Sequence, residues 1–331
     1  MTTIQSKISA VAENSETPKF AQTAAITVVL ADPHKEMDYW RSVNASNSSI
    51  NAADATRTKP LYKDKTFDSL YSKDDSSKVE GFLSDIEGKY SVPGTTVPLR
   101  HKYILGKLKE FALQAEQSEK QVVLFGSGYS TYAVRKNDGK YNNVKYFEVD
   151  FPEVLEAKKE LYTTKQINPN AVYIGSSYTD PQFFENLQNH GVDFKKDTLV
   201  IWEGNSMYLD IDKVRGVLNN VFQKFEGSTS VCFDSFSPEL VNGTTGSPAL
   251  GKFTARMAVG KYPFTLGLSE GDREGLGREN KVSCECFNLN DLAKTYKVGQ
   301  SIPDGEHAGV TTLSRGPLNR EIGKKGVSIG L

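Results

Sequence analysis

From Pro98 onward the chain alternates between apolar patterns of two periods. In LRHKYILGKLKEFALQA, Leu99, Tyr103, Leu105, Leu108, Phe111 and Ala112 recur near every 3.6 residues, which predicts an amphipathic helix. QVVLFGSG follows, a short apolar run ending in glycines, and reads as a buried strand entering a tight turn. The alternation then repeats. VKYFEVD is a strand and PEVLEAKKELY a helix opened by Pro152; AVYIG is a strand and PQFFENLQNH a helix opened by Pro181. DTLVIWE, a helix over DIDKVRGVLNNVFQKF and a strand at STSVCFD complete the series. Strand and helix in regular alternation predict an α/β fold, a doubly wound and mostly parallel sheet with helices on both faces.

Before and after this region the pattern weakens. The first ninety or so residues are polar, with apolar clusters only at Ala25–Ala31 and Phe82–Ile86. Such a segment does not bury enough surface to fold alone and suits short helices laid over something else, with disorder expected for residues 1–20. After Asp234, SPELVNGTTGSPALG reads as a loop, NLNDLAKTY as a short helix, and GVTTLSR and GVSIG as closing strands. The division expected is a polar N-terminal extension and helical lid over 1–95, and a main domain over 96–331 carrying a second lid segment at about 236–262.

Charge and cysteine content narrow the function classes. Forty Lys and Arg against 41 Asp and Glu give a formal net charge of −1, so no global field would gather nucleic acid or anionic lipid. Of three cysteines only Cys284 and Cys286 are close in sequence, which is neither a disulfide framework nor a metal-binding pattern; no metal is expected, and a reducing, cytoplasmic setting is. No apolar run approaches the ~18 residues of a membrane span, and the N-terminus lacks a secretory signal pattern. The matches to the glycosylation acceptor pattern at Asn44, Asn47 and Asn242 are read as chance.

Candidate chemistry lies at the strand ends, because open parallel sheets bind ligands at their carboxyl edge. Gly126-Ser127-Gly128 follows the first strand, where small residues let backbone amides approach a ligand and the next helix would present its N-terminus. Glu148 and Asp150 end the second strand about 20 residues on, the position from which a carboxylate accepts from ribose hydroxyls. Glu203 follows the fourth strand, placed to pair with an ammonium or sulfonium. Arg100, on the preceding helix, has the planar fork that a carboxylate ligand needs. These residues indicate an adenosine ligand, nicotinamide cofactor or S-adenosylmethionine; Thr131, in place of the third glycine of GxGxxG, disfavours a nicotinamide-dependent oxidoreductase.

VVLFGSGYSTYAVR, KYFEVDFPEV and WEGNSMYL, with Arg100 upstream in VPLRHKYI, resemble the leucine carboxyl methyltransferase family, whose members show strand–GxGxDT–R, E-[VI]-D-x-P and EG…YL patterns in that order. The likeness covers roughly residues 97–235. It implies an S-adenosylmethionine-dependent O-methyltransferase of Rossmann-like fold, with S-adenosylhomocysteine as product, that methylates a carboxylate of a small acid or a protein C-terminus. It also implies site roles. Gly126 and Gly128 would form the cofactor turn, Asp150 would hold the ribose, Glu203 would meet the methionine amino group, Arg100 would bind the methionine carboxylate, and Tyr208 would shape the methyl-transfer pocket.

Departures from the family pattern are specific. Ser177-Tyr178 stand where members carry Asp-Leu beside adenine, so Tyr178 would pack on the ring and the Ser177 hydroxyl would accept from its amino group. Ser130 replaces an acidic residue of the turn, and Arg57 is the substitute offered for an N-terminal lysine. They keep open a catalytically altered protein that binds the cofactor. Of the histidines, His34, His101, His190 and His307, only His101 is a candidate base, needed if the acceptor is a hydroxyl.

Overall fold

The computed structural model describes residues 92–114, 119–134, 141, 143–259, 263–296 and 301–316. The expected disorder of residues 1–20, the clusters at Ala25–Ala31 and Phe82–Ile86, Arg57, and the strand GVSIG lie outside the described residues. So does the N-terminal extension, apart from residues 92–95.

Seven strands form one sheet in the order β3-β2-β1-β4-β5-β7-β6. β1 (Lys120–Phe125), β2 (Val144–Asp150), β3 (Ala171–Gly175), β4 (Thr198–Trp202) and β5 (Thr229–Phe236) are parallel; β7 (Ala308–Arg315) runs antiparallel between β5 and β6 (Ser283–Asn288). The strand order reverses between β1 and β4. This is the doubly wound, mostly parallel sheet that the alternation predicts, and its switch point opens at the carboxyl ends of those two strands.

Each central strand is buried on both faces, which is why these runs are continuously apolar. In β1, Val122 and Leu124 pack into one apolar cluster with Leu99, Ile104 and Leu108 of α1 (Val92–Leu113). Val123 and Phe125 point the other way, into a cluster with Val214, Val217, Leu218 and Val221 of α4 (Ile211–Lys224). α1 begins seven residues earlier than the periodic segment that starts at Leu99 and takes Pro98 inside it. Its inner face uses Ile104, with Leu105 only half-buried. The buried Lys120 ammonium donates to the Phe111 carbonyl at 2.8 Å, meeting one of the acceptors that the last turn of α1 leaves open.

α2 (Pro152–Thr164) starts with proline at its first turn, where no backbone donor is needed, and α3 (Phe183–Asn189) starts just after Pro181. The connection after the glycine turn differs from expectation. Among the described residues it contains a three-residue 3-10 turn, Tyr132–Val134, and no long helix.

The segment read as a loop after Asp234 holds two helices, α5 (Pro238–Val241) and α6 (Pro248–Val259). α7 (Glu270–Glu279) has only Leu276 as a large buried apolar side chain and is specified instead by a reciprocal Ser269–Asp272 capping box. β6, SCECFN, is half-buried at the sheet edge and lacks an apolar run. α8 (Leu289–Thr295) is the expected short helix. No helix among the described residues is long and apolar enough to cross a membrane.

Candidate active site at the strand tips

The register of the sheet gathers the strand-end residues into one row. Phe125 pairs with Val149, Leu124 with Ile201, and Trp202 with Phe233. One step further, Gly126, Asp150, Glu203 and Asp234 stand side by side on neighbouring tips. Because strand side chains alternate, all four share the face of Leu124, Ile201 and Cys232, which is the face covered by α1.

On the β1–β2 side the turn is held by backbone. Gly126 and Gly128 have φ of 63° and 46°, a conformation that favours glycine, and a Cβ on Gly126 would meet the Asn205 side chain. Asp150 accepts from the Gly128 N–H at 2.7 Å through Oδ2 and from the Phe151 N–H at 2.8 Å through Oδ1. Burial pushes its pKa up against those two donors. Each oxygen retains a second lone pair for a ligand hydroxyl.

Glu148 sits two residues back and is completely buried, its Oε2 2.5 Å from the Lys158 ammonium of α2. The structure therefore places Glu148 beneath the row of strand tips. Glu148 supports the turn from beneath, and the same lysine reaches the Ser130 hydroxyl at 3.4 Å, while Tyr162 donates to the Ser130 carbonyl.

On the β4–β5 side the row is held by a side chain from another element. Arg100 donates from Nε to Glu203 at 3.0 Å and from Nη1 to Asp234 at 2.6 Å. Burial works to lower the Arg100 pKa, but the two carboxylates outweigh it, so the guanidinium stays charged. Its Nη2 is buried without a hydrogen-bond partner among the described residues. Tyr132 donates to Glu203 Oε2 at 2.6 Å, and His101 Nδ1 lies 2.9 Å from the same hydroxyl. Burial would raise the Glu203 pKa, but His101, Arg100 and Tyr132 together hold it down to about 2, so the carboxylate is anionic at neutral pH.

The loop after β3 reaches across the row. The Tyr178 ring stacks on Phe125 with centroids 6.0 Å apart and meets Trp202 edge-on, and its hydroxyl donates to Asn205. Ser177 stays local, its hydroxyl 2.8 Å from that of Thr179. Tyr208 lies on the 3-10 turn after Glu203, half-buried beside Phe264, which in turn packs on Phe236 and Phe253.

The structure thus brings Arg100, Gly126, Gly128, Asp150, Tyr178 and Glu203 to one edge, with Tyr208 on the adjoining turn, and leaves Glu148 below and Ser177 aside. Asp234, Tyr132, Lys158 and Asn205 were not anticipated. Asp234 was legible by the rule that found Glu203, a carboxylate at the end of an apolar strand; nothing in the sequence marks the other three. Two carboxylates around one guanidinium with a buried N–H unpaired, and a third carboxylate at the glycine turn, suit a ligand that carries a cation, a carboxylate and vicinal hydroxyls. S-adenosylmethionine has these groups. Among the described residues no group of three or more His, Cys, Asp or Glu side chains is arranged to hold a metal.

A family model for leucine carboxyl methyltransferase matches residues 44–222, which extends the likeness into the polar N-terminal segment. Comparison with curated protein sequences yields no match. Among solved structures, a DUF574 family protein from Streptomyces avermitilis aligns with a TM-score of 0.50 at 11% identity, covering 75% of this chain and 92% of that one. An O-methyltransferase family protein from Burkholderia thailandensis aligns with a TM-score of 0.44 at 11% identity, over 95% and 98% of the two chains. At 11% identity the first of these two likenesses bears on the fold alone.

Proposed function

Since the chain belongs to the leucine carboxyl methyltransferase family, whose methyl donor is S-adenosylmethionine, we propose that it transfers the methyl group to a carboxylate oxygen of a small acid or a protein C-terminus. The observation that carries this reading is the row of strand-tip residues with the unpaired Arg100 Nη2 within it.

The cofactor supplies an electrophilic methyl group on a positively charged sulfur. In this reading Asp150 holds the ribose hydroxyls and Gly126 and Gly128 let the backbone come close. Arg100 Nη2 takes the amino-acid carboxylate, and Glu203, whose oxygens keep lone pairs beyond their present donors, takes the ammonium. Tyr178 lines the adenine side. Tyr208 and Phe264 keep water from the acceptor side, where α5 and α6 form a lid. A carboxylate acceptor is already a nucleophile, so alignment and exclusion of water supply the acceleration and no base is required. The setting is a reducing cytoplasm, consistent with three free thiols.

A second reading, transfer to a hydroxyl, has one observation behind it: His101 and Tyr132 hydrogen-bond beside Glu203, a place from which a base could act. The chemistry of the product separates the two. With methyl-labelled S-adenosylmethionine and a panel of carboxylic acids and phenols, a methyl ester releases labelled methanol in mild base, whereas an ether retains it. Calorimetric titration should show S-adenosylhomocysteine binding and NAD not binding. Base-stable product alone would reject the carboxylate acceptor, and NAD binding without S-adenosylhomocysteine binding would reject the cofactor site.

A further inference from the structure

Asp234 uses both of its carboxylate oxygens, and on different parts of the site. Oδ2 accepts from Arg100 Nη1 at 2.6 Å, and Oδ1 accepts from the backbone N–H of Gly204 at 2.7 Å. Gly204 immediately follows Glu203 and has a φ of 73°, so this bond fixes the left-handed turn that points Glu203 at the row. The Ser206 hydroxyl donates to the Asp234 carbonyl at 2.5 Å, which ties the same turn to β5 from the other side. Asp234 itself is 1% exposed.

A guanidinium bound only by Glu203 could pivot about its Nε–H bond. A second carboxylate on Nη1 removes that freedom, because the fork is planar and rigid. The remaining donor, Nη2, then has one direction, and it is left buried and unpaired among the described residues. Asp234 has no surface of its own from which to touch a ligand. Its effect has to pass through Arg100 and through the Glu203–Gly204 turn.

We propose that Asp234 is the positioning residue of the amino-acid subsite, holding Arg100 Nη2 and the Glu203 carboxylate in the spacing that recognises the α-amino and α-carboxylate groups of the cofactor. This rests on the reading of the strand-tip row given above. Asp234 should accordingly govern affinity for ligands that carry the amino-acid end and be indifferent to ligands that lack it.

The test compares S-adenosylhomocysteine with 5′-methylthioadenosine, the same nucleoside without the amino-acid end, by calorimetric titration. Asp234→Asn keeps the size and an oxygen for the Gly204 N–H; Asp234→Glu keeps the charge but displaces it, and serves if the first variant does not fold. Either is expected to lose roughly tenfold or more in S-adenosylhomocysteine affinity while 5′-methylthioadenosine affinity changes less than about twofold. Equal losses for both ligands, or no loss for either, would overturn the proposal. If Arg100→Lys abolishes the wild-type preference for the amino-acid end but the Asp234 variants do not, this proposal fails and the subsite stands. If the wild type itself shows no preference, the subsite reading fails with it.

Discussion

The two halves of the strand-tip row are built by opposite means. On the β1–β2 side, Asp150 is held by the N–H groups of Gly128 and Phe151, the first 22 residues away in sequence and the second adjacent. On the β4–β5 side, Glu203 and Asp234 share one guanidinium brought in from α1, across sequence separations of 103 and 134 residues, with the Tyr132 hydroxyl and the Gly204 N–H as further donors. Backbone donors come with the fold and survive the loss of any one side chain. A side-chain clamp concentrates the same task in Arg100, whose loss would leave two carboxylates in a buried place without their counter-charge. The β1–β2 half should therefore behave as a binding element with little weight in stability, and the β4–β5 half as both.

The largest effect that bears on this contrast is Arg100→Met. Removing one partner from a buried ion cluster costs roughly 3–5 kcal/mol, so denaturant unfolding should show a lower midpoint and cofactor affinity should fall with it; unchanged stability would mean the clamp is not structural. Next comes acid. Glu203 has its pKa depressed to about 2 against an ordinary value near 4.5, so the stability it contributes is present above pH ~4.5 and is lost as the pH falls toward about 2, roughly 3 kcal/mol in all. The difference in unfolding free energy between wild type and Glu203→Gln should shrink over that window, and a constant difference would contradict the ion-pair origin.

Asp150→Ala probes the other half. It should weaken S-adenosylhomocysteine by ~1–3 kcal/mol, the scale of a hydrogen bond to a charged group, with a stability change well below that of Arg100→Met. A stability loss as large as that of Arg100→Met would erase the distinction between the halves. The smallest effect is expected for Tyr132→Phe, which removes one donor from Glu203 and should cost about 1 kcal/mol in stability; a much larger loss would shift weight from Arg100 to the tyrosine.

The same contrast explains what could be read from the sequence. The strands β1 to β5 announce themselves because burial on both faces forces continuous apolar runs, and Gly126, Asp150 and Glu203 follow from their place at the ends of those runs. β6 and α7 gave no such signal: one is a half-buried edge strand and the other is set by a capping box. Glu148 was assigned to the ligand with Asp150 because both lie about 20 residues beyond the glycine turn. Only the packing of α2 reveals that Lys158 occupies that space. Asp234 follows from the same strand-end rule, whereas Tyr132 and Asn205 matter through contacts with Glu203 and Gly126 that lie 71 and 79 residues away, which no spacing rule encodes.

The central claim is that one S-adenosylmethionine-type ligand spans both halves of the row. A crystal structure of the S-adenosylhomocysteine complex tests it most directly. The ribose hydroxyls should lie within hydrogen-bond distance of Asp150 and the ligand's carboxylate on Arg100 Nη2. Ligand density away from these tips, or ribose and carboxylate on other side chains, would contradict it.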